Sequence, residues 1–370
     1  MKISKRTMLP LLAVFLLQAC GESATPGDST PSGAAYRDTG PYRVGVRTLP
    51  LGDREAEIWY PVDPGDEGDR PRDVYFIRDF LPDAIDAILP ADANPPFDTG
   101  AYREAPASDD GAFPLVIFAH GSSSYRTQST ALTTHLASWG FVVVAPDYLE
   151  RSLRAALGEP PEKRREDVAV SRAAVAIAKA ENGRPGGPLE GRIATDRVGI
   201  TGHSAGGGSS IRFGEEPDVV TYIPLSAGAR RDGTSLPDKP SMWLTGDIDG
   251  VVDVARVEDG FAAAASPARL VILEGGGHLA PTDICAIGTE GGGVVQIALN
   301  AGLPVPENLQ RLGTDGCYEP ALPVRDGWPV FHHFVTAQLR WAFGIDPEPV
   351  GLSASVAGDF PEARFVYQEK

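Results

Sequence analysis

The chain reads as an α/β protein: a mostly parallel central sheet with helices on both faces and an antiparallel N-terminal part. Three observations predict this. Residues 113–119 and 140–148 are continuous apolar runs, the composition of strands covered on both faces. Residues 130–139 and 164–181 follow them with helical periodicity, and strands alternating with helices imply parallel crossovers. Finally, residues 201–208 read Thr-Gly-His-Ser-Ala-Gly-Gly-Gly between a strand-like run at 197–200 and a helix-like start at 209–213. That is a G-x-S-x-G turn from strand into helix.

Length and composition bound the rest. At 370 residues the chain can bury a large core. It is 42% hydrophobic and 22% charged, with a net charge of −17. An acidic surface repels phosphate backbones, so no nucleic-acid partner is expected. Residues 1–19 are read as a signal peptide: Lys2, Lys5 and Arg6 precede an apolar run at 9–17 that is too short to span a bilayer. Leu17-Gln18-Ala19-Cys20 resembles the lipobox of bacterial lipoproteins, in which the cysteine becomes the lipidated first residue. Ordinary signal-peptidase cleavage nearby is the alternative. Either reading exports the protein; the lipobox reading places it at a bacterial cell envelope, with a membrane partner through a lipid at Cys20. Residues 20–40 are rich in Ser, Thr, Pro, Gly and Ala and are expected to be a flexible tether.

The folded domain is expected over 41–345. Residues 42–47 and 55–61 alternate polar and apolar side chains, as half-buried antiparallel strands do. Residues 63–72 read as a polar turn, 80–89 as a short helix and 95–112 as a loop. After the strand at 113–119 comes the loop His120-Gly121-Ser122-Ser123. Beyond the G-x-S-x-G turn, residues 222–226, 241–245 and 269–273 read as further strands, and 330–343 as a closing amphipathic helix. Residues 346–370 are left as a C-terminal tail. The chain shows no internal repeat, and a monomer is favoured.

Serine is a poor nucleophile until a base takes its proton, and the base is most often a histidine held by a carboxylate. In open α/β sheets the working groups lie beyond the C-terminal ends of the strands. That rule selects Ser204 as nucleophile and His278 as base, since His278 follows the strand at 269–273 and the loop Glu274-Gly275-Gly276-Gly277. Of the other histidines, His120 and His203 flank these loops, His135 sits in a helix, and His332 and His333 lie in the last helix. Asp249, past the strand at 241–245, is chosen as the carboxylate, with Asp247 as its rival. The N–H groups of Ala205 and Ser122 are the expected oxyanion donors. Tyr125 and Leu225 are candidate substrate-pocket walls. No metal is expected, because no His or Cys cluster has ligand spacing, and no cofactor is needed.

Residues 116–121, 136–143, 202–207 and 276–278, with 44–47 and 58–61 near the N-terminus, resemble the α/β-hydrolase superfamily. Within it they resemble the branch of dienelactone hydrolases, platelet-activating-factor acetylhydrolases and cutinase-like polyester hydrolases. The order Ser204, Asp249, His278 is that superfamily's order. The resemblance implies an α/β-hydrolase fold and hydrolysis of carboxylic esters through an acyl-enzyme, on a small-molecule or polymeric ester. Two departures stand out. Acetylhydrolases of this type carry their acid just after the strand equivalent to 222–226, where this chain has Leu225-Ser226-Ala227-Gly228. Dienelactone hydrolases proper use a cysteine where this chain has Ser204.

Cys285 and Cys317 lie within an insertion read at 284–326, and in an exported protein the pair is read as a disulfide. The insertion is either a functional flap or a structural excursion. Two other functions use the same residues or the same fold: a peptidase or amidase, and a surface lipoprotein that binds without catalysis.

Overall fold

The strands β1 (Arg43–Leu51) and β2 (Arg54–Val62) form an antiparallel hairpin with Arg43 opposite Val62 and Leu51 opposite Arg54. This computed structural model describes residues 33–229 and 235–370. Next come β3 (Arg72–Tyr75), the single-turn α1 (Asp83–Asp86) and β4 (Phe97–Arg103). The α/β part then runs β5 (Phe113–Ala119), α2 (Thr130–Ser138), β6 (Val142–Pro146), α3 (Leu153–Ala156) and α4 (Asp167–Asn182). It continues β7 (Ile193–His203), α5 (Ala205–Phe213), β8 (Val219–Leu225), β9 (Ser241–Gly246), α6 (Val254–Ala263) and β10 (Ala268–Leu273). Then follow α7 (Gly293–Asn300), α8 (Glu307–Thr314), α9 (Val324–Phe343) and β11 (Phe365–Glu369).

These strands make one sheet in the order β11-β10-β9-β8-β7-β5-β6-β2-β1-β4-β3. The six strands from β10 to β6 are mutually parallel. β2 is antiparallel to β6, and β11 to β10. The parallel strands alternate inward on both faces. On β5, Val116 and Phe118 join the core under α2 and α9, while Leu115 and Ile117 join the core under α4, α5 and α6. Burying both faces is why these strands read as unbroken apolar runs.

Several boundaries differ from the sequence expectation. β2 is buried at eight of its nine positions rather than on one face, because it sits between β1 and β6 under helices. Residues 95–112 are not all loop: β4 pairs with both β3 and β1. Its strand pattern is masked by Gly100, which takes a φ of +80°, and by Asp98, which caps the Gly100 N–H. The helix expected over 80–89 is only a 3₁₀ turn at Ile77–Phe80 and the four residues of α1. The last helix begins six residues earlier than expected, with Pro329 inside it.

Both expected termini are partly folded. Tyr36, assigned to the tether, is 2% exposed. Its carbonyl accepts from His135 Nε2, its N–H donates to His333 Nδ1, and its ring meets Trp139 edge-on. The packed chain therefore reaches back to residue 33 rather than 41. Residues 1–32, with Cys20 and the rest of the expected leader and tether, lie outside the described residues. The tail 346–370 is not a tail. β11 adds an antiparallel edge strand, and Glu369 pairs there with the buried Arg269, whose guanidinium also donates to Gln338. A buried cation needs such partners.

Candidate active site

Ser204 stands between β7 and α5 with φ +56° and ψ −118°. A non-glycine residue there carries about 1–3 kcal/mol of strain. The surrounding packing enforces it. A Cβ on Gly206 would lie 1.9 Å from the Ala119 carbonyl oxygen, and one on Gly202 would lie 2.5 Å from that of Gly206. Only glycine lets β5, β7 and α5 close this tightly. The Ser204 N–H donates to the Leu225 carbonyl at 2.8 Å, which fixes the turn to β8. Its hydroxyl makes no capping bond to the helix.

His278 and Asp249 come together from the loops after β10 and β9. Nδ1 of His278 lies 3.0 and 2.9 Å from the two oxygens of Asp249. Oδ1 of Asp249 also accepts the Val251 and Val252 N–H groups at 2.9 and 2.7 Å, which fixes the carboxylate's direction. Nδ1 thus donates to the carboxylate and Nε2 is left as the acceptor. That Nε2 is buried and has no hydrogen-bond partner among the described residues. Asp247, the rival acid, instead accepts the Gly275 N–H at 2.6 Å and serves its own turn.

The glycine run before His278 has two uses. Gly275 takes a φ of +72°. Gly276 and Gly277 are needed for close approach: Cβ atoms there would lie 2.9 Å from Gly246 Cα and 2.3 Å from Gly316 Cα.

A residue the sequence did not single out holds this pair. Asp315 Oδ1 accepts the His278 N–H at 2.6 Å and the Gly250 N–H at 3.3 Å, and its carbonyl accepts the Leu279 N–H at 3.1 Å. Asp315 therefore binds the backbone of both the histidine and the neighbour of Asp249. No spacing signal could have found it, since it lies 37 residues past His278.

Gly121 N–H donates to Gln128 Oε1 at 2.6 Å, and Ser123 N–H to the Arg151 carbonyl at 2.7 Å. The Ser122 N–H between them, and the Ala205 N–H at the start of α5, have no acceptor among the described residues. Gln128 also bonds His203 Nδ1 at 3.0 Å, and His203 Nε2 bonds the His278 carbonyl at 2.8 Å. With Nδ1 accepting from the Gln128 amide, Nε2 carries the proton. Burial holds the His203 pKa well below the usual value, so the ring is a neutral strut. His120 is likewise structural. Its Nε2 accepts the Tyr148 N–H at 2.9 Å, and burial lowers its pKa to about 3.

Residues 103–214 match the family model for chlorophyllases, a stretch that covers under a third of the chain. The serine elbow after β7, the acid after β9 and the histidine after β10 stand on this sheet beside the matched stretch. The chain has an α/β-hydrolase fold. It is similar to a bis(hydroxyethyl) terephthalate hydrolase of Streptomyces coelicolor, 27% identical over 166 residues, which are 45% of this chain and 49% of that protein. It is also similar to Cutinase 1 of Thermobifida cellulosilytica, 26% identical over 178 residues, 47% of this chain and 63% of the relative. Cutinase 2 of the same organism is 25% identical over 226 residues, 54% of this chain and 78% of the relative. The chain thus spans about half to two thirds of the first of these relatives. The similarity supports the cutinase-like branch of the hydrolase superfamily.

Ser204, His278, Ser122 and Tyr125 all line one cavity of about 180 Å³. Leu225, expected as a pocket wall, does not. It is fully buried in the core under α2 and α9 and serves the elbow through its carbonyl. Two segments wall the cavity beyond the sheet. One is 77–95, where the sequence suggested only a short helix. The other is the insertion, which contributes Ile284, α7 and α8. Cys285 and Cys317 are disulfide-bonded, with Cα atoms 4.8 Å apart. Closing a loop across their 32-residue separation removes about 3–4 kcal/mol of chain entropy from the unfolded state. Asp283, just before Cys285, roots the insertion on α2 by accepting the Thr130 and Ala131 N–H groups at 2.6 and 3.0 Å. Among the described residues no cluster of His, Cys, Asp and Glu could hold a metal ion, and no helix is long and apolar enough to cross a membrane.

Proposed function

We propose that the chain is a cofactor-free serine hydrolase of carboxylic esters. The reading is carried by one observation. His278 is fixed by Asp249 on Nδ1, while its Nε2 is buried without a partner and the residue lines the same cavity as Ser204. Ser204 Oγ attacks the ester carbonyl as His278 Nε2 takes its proton. Asp249 holds the imidazole tautomer and stabilises the imidazolium that forms. The Ser122 and Ala205 N–H groups receive the oxyanion. His278 then returns the proton to the leaving alcohol. A water molecule, activated by the same nitrogen, attacks the acyl-enzyme and releases the carboxylic acid.

The names of the relatives, a terephthalate ester hydrolase and two cutinases, support ester chemistry. The test is turnover of p-nitrophenyl esters with Ser204→Ala as the control. Wild type should turn over and react with a fluorophosphonate, and Ser204→Ala should do neither, with a loss of about 10⁴-fold or more. Full activity in Ser204→Ala would refute the assignment.

We further propose that the protein is exported and anchored through a lipid on Cys20. The support is the Leu17–Cys20 motif and the Cys285–Cys317 disulfide, which belongs in an oxidising compartment.

A further inference from the structure

The cavity at Ser204 has a composition that bears on the substrate. Around Ser204 and His278 its walls are aliphatic: Leu81 and Leu89 from the 77–95 segment, Leu153 and Leu157 around α3, and Val295 and Leu309 from the insertion. The two outer segments are packed into one body. Tyr75, Phe97, Tyr125, Ile287, Val324 and Trp328 form a small separate core. Pro95 sits against Gly288, whose Cβ would lie 3.0 Å from the proline ring. The 77–95 segment and the insertion therefore stand as joined walls around the cavity.

The polar groups on these walls offer no charge to a ligand. Each guanidinium nitrogen of Arg78 already donates, Nε and Nη2 to Asp86 at 2.6 and 3.0 Å and Nη1 to the Pro90 carbonyl at 2.7 Å. Asn94 keeps a buried carbonyl oxygen without a partner among the described residues. That acceptor repels a carboxylate. Among the described residues the only aromatic carbocycle on the lining is Tyr125, which is itself stacked on Phe80 with centroids 4.5 Å apart. A flat diester finds little face to stack on.

We propose that this cavity binds a single unbranched aliphatic chain of the ester, so that the enzyme acts on monomeric esters of medium chain length rather than on polyesters or aromatic diesters. This rests on the serine-hydrolase reading above and goes beyond it in naming the substrate. The cavity measures about 180 Å³, about six times the ~30 Å³ that one water takes in the liquid. It therefore has room for at least about six water-sized groups, which sets the expected chain at roughly six to ten carbons beside the ester. Each methylene that moves from water onto these walls raises kcat/KM by up to about four-fold.

The experiment measures kcat/KM on two ester series, p-nitrophenyl esters of lengthening acyl chain and acetate esters of lengthening alcohol. Terephthalate polyester particles are the third arm. The expected result is a rise to a maximum near six to ten carbons in one series, which also assigns the chain to the acyl or the alcohol side, with particles turned over negligibly. Two variants that fill the cavity from different walls, Ala298→Phe on α7 and Leu157→Phe after α3, should each lower the ratio of octanoate to acetate turnover by about ten-fold or more. Fluorophosphonate labelling reports whether each variant is folded and armed.

Rates that are flat or fall with length in both series would overturn the proposal. So would polyester turnover matching that of the best monomer, or labelled variants with an unchanged length profile. In each of these cases labelling of Ser204 would leave the serine-hydrolase reading standing, whereas loss of labelling in the wild type would sink that reading itself.

Discussion

Acid should unfold this protein well before it reaches the pH where carboxylates are neutralised. Burial depresses five of the six histidines. His120 and His332 fall to about 3, His333 to about 4, and His135 and His203 lie well below the usual value. In the unfolded chain each titrates near pH 6.5. A group whose folded pKa is lowered contributes no penalty above its unfolded pKa and destabilises as pH falls below it, because only the unfolded state takes the proton. Between pH 7 and 5.5 each of the five removes about 1 kcal/mol, or about 5–6 kcal/mol together. Asp283 acts the other way. Burial raises its pKa to about 7, so it favours the folded state as pH falls through 7 and returns about 2 kcal/mol over the same interval. Glu57 and Asp147, also raised by burial, add to that opposing side. The net loss is about 4 kcal/mol, a large share of the 5–15 kcal/mol of an ordinary domain. Urea unfolding at pH 7.0 and 5.5 measures it directly. His332→Phe removes one titrating group and should return about 1 kcal/mol of the pH dependence. Its imidazole stacks on His135 with centroids 4.2 Å apart, so a ring is kept at that contact. Equal stability at the two pH values, or greater stability at pH 5.5, would refute the reasoning.

Asp315→Ala should lower kcat/KM by about 10–100-fold, since it frees the His278 and Gly250 N–H groups and lets the base shift by a fraction of an ångström. Asp315→Asn keeps the accepting oxygen and should stay within about three-fold of wild type with the same pH–rate profile; wild-type kinetics in Asp315→Ala would remove Asp315 from the site. Mass spectrometry of the mature N-terminal peptide should find a diacylated cysteine at position 20, and Cys20→Ala should release the protein from the membrane fraction. An unmodified mature N-terminus beyond Cys20 would refute the anchor.

What was legible in the sequence is what sterics or double-sided burial forces into residue type. The parallel strands must be apolar at every position, as in β5 and β6, so they stand out from one sequence alone. The elbow leaves a fingerprint because Gly202 and Gly206 have no room for a side chain. Edge strands leave none. β3 alternates exposed and buried residues over only four positions, and β11 is mostly exposed. Each is a strand only because β4 or β10 offers it a partner. The residues that place the functional groups were the least visible. Gln128, Asp283 and Asp315 act through one or two backbone N–H groups each, and a single amide or carboxylate in a loop carries no periodicity. Leu225 shows the reverse error: an apolar residue beside the elbow invites a pocket role, yet its side chain faces the core.

The insertion posed the sharpest choice, between a flap and a structural excursion, and its two ends argue that it is divided between both roles. At one end Asp283 caps α2, and at the other Asp315 holds the backbone at His278. Cys285 and Cys317, two residues inside the first anchor and two beyond the second, are covalently joined. Gly316 lies so close to Gly277 that a Cβ on it would be 2.7 Å from the Gly277 Cα. The roots are thus part of the frame that positions the histidine. Between them, α7 and α8 supply wall residues to the cavity without touching the acid–base pair through any hydrogen bond among the described residues. The two parts should therefore separate kinetically. Changes at the roots act on kcat for every ester, because they move the base. Changes on α7 and α8 act on the dependence of kcat/KM on chain length, because they move only the wall.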